Sequence, residues 1–165
     1  MLNEFSRTEL LLGEASVQKL KNCRVAVFGI GGVGGYAVEA LARSGVGTLD
    51  LFDNDKVSLT NINRQIIALH SSIGVSKTTA AKNRILDINP NATVNTNDVF
   101  FMPENSGDFD FSVYDYVVDA IDTVASKEKK KKKTKEQNVT IISSIEANNK
   151  MDAPVFMEKK KKKTQ

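Results

Sequence analysis

The feature that most constrains this chain is the run RVAVFGIGGVGGYAVEALA, residues 24–42. After Arg24 its strand-forming part is continuously apolar, as a parallel strand covered on both faces requires. Gly29, Gly31, Gly32 and Gly34 follow in a G-x-G-x-x-G turn. Val33, Ala37, Ala40 and Leu41 then fall at i, i+4, i+7 and i+8, one face of a helix. Such a strand–turn–helix unit presents free N–H groups to phosphate at the helix N-terminus. Gly29 is expected to permit the tight exit, Gly31 the approach of a ligand to the backbone, and Gly34 the close packing of helix on strand.

Around this unit the pattern repeats. TLDLFD (48–53), ATVNTND (92–98), YVVDAID (116–122) and VTIISS (139–144) read as strands. A helix is expected from Arg7 to Leu20, and another shows Thr78, Ala81, Ile85 and Ile88 on one face before Asn89-Pro90 closes it. A polar loop separates Met102 from Ser112. Strands alternating with helices predict an α/β fold, a Rossmann-like doubly wound, mainly parallel sheet with helices on both faces.

One segment conflicts with that plan. The crossover helix due between Asp122 and Val139 reads TVASKEKKKKKTKEQN, charged throughout 128–133 and 135–136. A segment with no apolar face is not expected to cover the strand at 139–144. The heptad EKKKKKT recurs at 158–164, so both runs read as a sequence artefact rather than a working element; the functional alternative is a basic RNA-binding tract.

The two runs also distort the charge. The net value of +3 includes their ten lysines, without which 13 basic residues stand against 20 acidic ones. Composition therefore makes no case for nucleic-acid binding by the rest of the chain. At 165 residues a single buried domain is expected. No run approaches the roughly 18 apolar residues of a membrane span, and the acidic N-terminal stretch is not expected to be a signal peptide. The lone Cys23 excludes an internal disulfide and reads as a small buried hydrophobe, in a reducing, cytoplasmic setting.

The polar residues around the glycine turn decide which nucleotide it suits. Asp53, nineteen residues beyond Gly34, is placed to accept ribose hydroxyls, in NAD or in ATP. DNDKVSLTNINRQI then brings Asn61 and Arg64, and GVSK brings Lys77 near a helix start. Two cations converging on the turn suit a triphosphate; NAD, with only a pyrophosphate, needs neither. Asp122 lies past a buried strand, where a carboxylate beside phosphates holds Mg²⁺. Asp119 reads as structural or as a support behind the ligand groups, and His70 as a local structural or surface residue rather than a general base.

On the segments from FSRTELLLG through SLTNINRQI, KNRILDINP and YDYVVDAIDTVASK, the chain resembles the ubiquitin-activating-like adenylating enzymes of the ThiF and MoeB type. Within that family it is most similar to the branch acting on threonylcarbamoyladenosine in tRNA. The resemblance implies that Gly29, Gly31, Gly32, Gly34, Asp53, Asp55, Asn61, Arg64, Gln65, Lys77, Asp122 and Thr123 contact ATP. It further implies that Arg64, Lys77 and Asp122 carry catalysis, that Asp122 binds Mg²⁺, and that Arg7 adds a phosphate contact. Adenylation of a carboxylate in a homodimer follows, with Arg64 reaching the neighbouring subunit, tRNA as substrate and a sulfur-relay protein among the partners. The alternatives are adenylation of a sulfur-carrier protein and a non-catalytic nucleotide-binding module. Glu146 and Asn148 stand where the family leads one to expect small residues and glycine. Relatives continue past residue 165, so residues 1–157 are expected to form a C-terminally incomplete adenylation domain before a lysine-rich tail at 158–165.

Overall fold

The computed structural model describes residues 2–144. β1 (Arg24–Phe28), β2 (Thr48–Phe52), β3 (Thr93–Asn97), β4 (Tyr116–Asp119) and β5 (Thr140–Ser143) form one sheet in the order β3-β2-β1-β4-β5. Every neighbouring pair is parallel, and Val27 of β1 sits in register with Leu51 on one side and Val118 on the other. The chain winds outward from β1 to β3, then returns across the sheet to β4. Rossmann-like winding therefore puts a switch point between β1 and β4.

Alternate residues of each strand feed two cores. On one face Val25, Val27, Leu49, Leu51 and Val94 pack with Val38, Ala42, Ala81 and Ile85 of α3 (Gly32–Arg43) and α4 (Lys77–Ile88). The α3 face is rotated from the expected one: Gly34, Gly35, Val38 and Ala42 are buried and Ala40 is exposed. Small residues set that choice, because the glycine pair lets the helix lie close to the sheet. The expected helix at residues 7–20 is two helices, α1 (Ser6–Leu12) and α2 (Glu14–Asn22), broken at Gly13 with a φ of 84°.

The other core is aromatic. Ala26, Phe28, Phe52 and Val117 meet Phe101 and Phe111, so the segment between β3 and β4 supplies core residues as well as polar loop. Phe28 stacks on Phe52 at 4.3 Å between ring centroids, and Phe101 meets Phe28 edge-on at 5.8 Å.

The first lysine run is helical and covers part of the sheet, although a segment with no apolar face is not expected to do so. It forms α5 (Val124–Glu136), which crosses from β4 to β5 on the aromatic side. Among the described side chains of α5, Ser126, Lys127, Lys130 and Thr134 are buried, at helical spacing. Lys130 is fully buried, donates to Asp119 Oδ1, and places its Nζ 5.0 Å and 5.2 Å from the ring centroids of Phe28 and Phe101. The lysine stem packs as hydrocarbon while its head finds a carboxylate and two aromatic faces. A charged-residue pattern conceals such a face, which is why the sequence reads as unable to cover a strand. Residues 145–165, with Glu146, Asn148 and the second lysine run, lie outside the described residues. Among the described residues no helix is long and apolar enough to cross a membrane.

Candidate nucleotide site

Three helix N-termini open around one cleft of about 340 Å³ at the carboxyl edge of the sheet. Gly31 and Gly32 begin α3, Lys77 begins α4, and Thr123 precedes α5. Between them, β1, β2 and β4 lead into Gly29, Asp53 and the Ile121–Asp122 pair, which line the same space. This is the switch point, where ligands of doubly wound sheets bind. None of the three helices has a side-chain cap, so their first N–H groups and dipoles favour an anion.

Two glycines make the turn sterically possible. Gly29 has a φ of 85°, and a Cβ on it would lie 2.8 Å from the carbonyl oxygen of Ala120. A Cβ on Gly34 would fall 1.7 Å from the carbonyl oxygen of Gly29. Gly34 thus shapes the turn from behind and is not among the residues lining the cleft.

Asp53 is buried and has both carboxylate oxygens engaged. One accepts the N–H of Ile30 at 2.6 Å, the other the N–H of Asp55 at 2.8 Å. It ties the glycine turn to the loop after β2, and among the described residues each oxygen accepts no other hydrogen bond, which leaves it a further acceptor position. Asp55 receives Lys77 Nζ at 2.7 Å; the lysine is buried and the carboxylate projects into solvent. Arg64 lines the cleft of its own chain from an exposed turn, its guanidinium donating to the Thr60 carbonyl at 2.9 Å and to Asn63 Oδ1 at 3.1 Å.

Gln65 is buried beside the turn, and its Oε1 has no hydrogen-bond partner among the described residues. A buried unpaired polar atom costs about 1–3 kcal/mol, so this position favours a ligand that supplies the missing partner. Asp122 and Thr123 close the opposite wall.

Several other candidates stand apart from the cleft. Asn61 caps its own turn, accepting the N–H of Ser58 at 3.1 Å, and its carbonyl receives the N–H groups of Arg64 and Gln65. It holds the residues that line the cleft without lining it. Arg7 is exposed on α1 and His70 on a 3-10 turn; neither lines the cleft. Cys23 is half-buried rather than buried, and burial together with Asp115 pushes its thiol pKa up, the opposite of an activated thiolate.

The comparisons with known proteins agree with this geometry. A model of the ThiF family matches residues 5–164. This chain belongs to the ThiF family. It is 46% identical over 156 residues to a tRNA threonylcarbamoyladenosine dehydratase of Bacillus subtilis, covering 94% of this chain and 61% of that protein. A Haemophilus influenzae dehydratase of the same name is 50% identical over 112 residues, covering 68% of this chain and 43% of that protein. The crystal structure of the Escherichia coli tRNA N6-threonylcarbamoyladenosine dehydratase with ATP superposes with a TM-score of 0.81 at 40% identity, over 85% of this chain and 58% of that one. The chain thus spans about half the length of the relatives it matches.

In this ThiF-family cleft, sequence reasoning missed Asn54, Phe100 and Ile121. Ile121 sits one residue before Asp122, and Phe100 follows β3 at the same carboxyl edge. That position was the available signal; their apolar character hid it. Together they give the cleft an apolar wall suited to the face of a base.

Proposed function

We propose that this chain carries the ATP-binding part of an enzyme that dehydrates threonylcarbamoyladenosine in tRNA. One observation carries the reading. Asp55, Arg64, Lys77 and Asp122, which have no task in a dinucleotide site, share one cleft at three helix N-termini, in a chain 46% identical to such a dehydratase over 94% of its length.

In this reading Phe100 and Ile121 bracket the adenine, Asp53 faces the ribose, and Gly31, Gly32, Arg64 and Lys77 bind the phosphates. Lys77 has three N–H groups, so its bond to Asp55 leaves two for phosphate oxygens. Asp122 would hold Mg²⁺ through oxygen, as that ion prefers, and the ion would neutralise charge on the phosphates. The threonyl carboxylate attacks the α-phosphorus and pyrophosphate leaves with the bonding pair. The neighbouring ureido group then attacks the acyl carbon, AMP departs, and the ring closes with net loss of water. Positioning and charge neutralisation do most of this work, consistent with a cleft that has no activated thiol.

Residues 1–157 make up the adenylation domain in this reading, acting in the cytoplasm as a homodimer. Leu10 and Leu11 on α1, largely exposed, support a subunit contact. The test is pyrophosphate release with ATP and either modified tRNA or a ubiquitin-like carrier. Release with tRNA alone supports the reading; release with the carrier alone refutes it in favour of a sulfur-carrier adenylyltransferase.

A further inference from the structure

We propose that the solvent face of α5 is a docking surface for the phosphate backbone of RNA. The inference rests on the tRNA reading above and assigns the surface by which that substrate is held.

The observation is a segregation of charge. α5 carries seven lysines against two glutamates, whereas the remaining 152 residues carry 16 basic and 18 acidic. Lys127 and Lys130 are turned inward to Asp119 and Lys133 donates to the Ser106 carbonyl, which leaves Lys129, Lys131, Lys132 and Lys135 exposed. Glu128 and Glu136 are the acidic groups on that face. Two grooves flank it. One, of about 330 Å³, lies between Gly107 and the helix and is lined by Lys129 and Lys132. The other, of about 250 Å³, is lined by Lys131 and Lys135 beside Asn138 and Thr140.

Position gives the surface its meaning. α5 starts at Thr123 in the nucleotide cleft and rises about 1.5 Å per residue, so its exposed lysines track away from that cleft over roughly 9–18 Å. A nucleic-acid strand with its reacting nucleotide in the cleft would run its phosphates along them. A lipid surface fits poorly, because membrane-lying helices need an apolar face and the outward residues here are charged.

The test uses the full chain and its variant Lys129→Gln/Lys131→Gln/Lys132→Gln/Lys135→Gln, which keeps helix propensity and leaves the second lysine run intact. Binding of a fluorescein-labelled unmodified tRNA transcript is followed by anisotropy across 50–200 mM KCl. Four lost phosphate contacts should lower the slope of log K against log salt by about 3 and weaken Kd at least about tenfold at 100 mM. ATP affinity by calorimetry and helix content by circular dichroism should not change. An unchanged slope and Kd, in a chain that releases pyrophosphate with modified tRNA, would overturn the surface and leave the functional reading standing. Displacement of tRNA from the wild type by phosphatidylglycerol vesicles, with vesicle binding lost in the variant, would also overturn it. Pyrophosphate release only with a ubiquitin-like carrier would overturn reading and surface together.

Discussion

Replacing Lys130 by methionine should stabilise the protein, although it removes half of a buried ion pair. Lys130 and Asp119 are both fully buried. Removing one partner of such a pair commonly costs about 3–5 kcal/mol, because the other charge is left alone. Here it is not left alone. Lys127 Nζ lies 3.9 Å from Asp119 Oδ2, the N–H of Ile121 donates at 3.3 Å, and the Ser143 hydroxyl at 3.4 Å. Burial meanwhile holds the Lys130 pKa below the ordinary lysine value of 10.5 despite the opposing pull of Asp119, so the site disfavours the charged lysine relative to water. Methionine fills the same channel between Phe28 and Phe101 and gains sulfur–aromatic contact. Replacing both charges of a buried pair spans roughly 0–4 kcal/mol of stabilisation; here only the lysine is replaced and Lys127 must neutralise Asp119 from 3.9 Å, which places this case at the low end, about 1 kcal/mol. Urea unfolding at pH 7 should show that gain as a higher midpoint with an unchanged m-value. Lys127→Leu added to Lys130→Met should then cost about 3–5 kcal/mol, since Asp119 would have lost both cations. The pH dependence supplies a second check. Between the lowered folded-state pKa of Lys130 and 10.5 the unfolded chain binds more protons, so wild-type stability should rise with pH across that window. Lys130→Met should abolish that rise. A single variant less stable than wild type by 2 kcal/mol or more, on the order expected for a lone buried charge, would refute the argument.

Three further outcomes test the cleft. Gly34→Ala drives a Cβ to within 1.7 Å of a backbone carbonyl that cannot turn aside; it should lose about 3 kcal/mol or more in urea unfolding, together with ATP binding by calorimetry. Asp122→Ala alters an exposed residue, so stability should stay within about 0.5 kcal/mol while ATP-dependent pyrophosphate release disappears. Phe100→Ala should weaken ATP binding about 3- to 10-fold with no effect on inorganic triphosphate, as expected if the ring contacts the base alone.

The sheet was legible in the sequence because five short β-rich runs end at predictable places and one is followed by a glycine turn. Each observed strand lies within its expected run, trimmed at the ends where backbone pairing stops. What the sequence hid were faces. On α3 the glycines, rather than the alanines, lie against the sheet. On α5 the buried stripe consists of Ser126, Lys127, Lys130 and Thr134, and no hydropathy pattern reveals that a lysine stem is packed between two phenylalanines. The phenylalanines at 101 and 111 were equally hidden, in a stretch whose polar residues read as loop.

Asp53 and Asp55 carry the same argument into the site. They are the same residue type two positions apart, and composition gives them equal standing as ligand groups. Asp53 has both oxygens on backbone N–H groups, so turning it away would undo the glycine turn and strand two donors. The Asp55 side chain is 64% exposed and, among the described residues, its carboxylate is bound only to Lys77, so water can solvate the carboxylate while the buried lysine still needs an anion beside it. A triphosphate entering the cleft would therefore be an added anion for a Lys77 that Asp55 already orients, while Asp53 stays in place. One carboxylate builds the site and the other holds a cation ready for it. That division follows from which backbone groups lie within reach, and only the folded chain determines it.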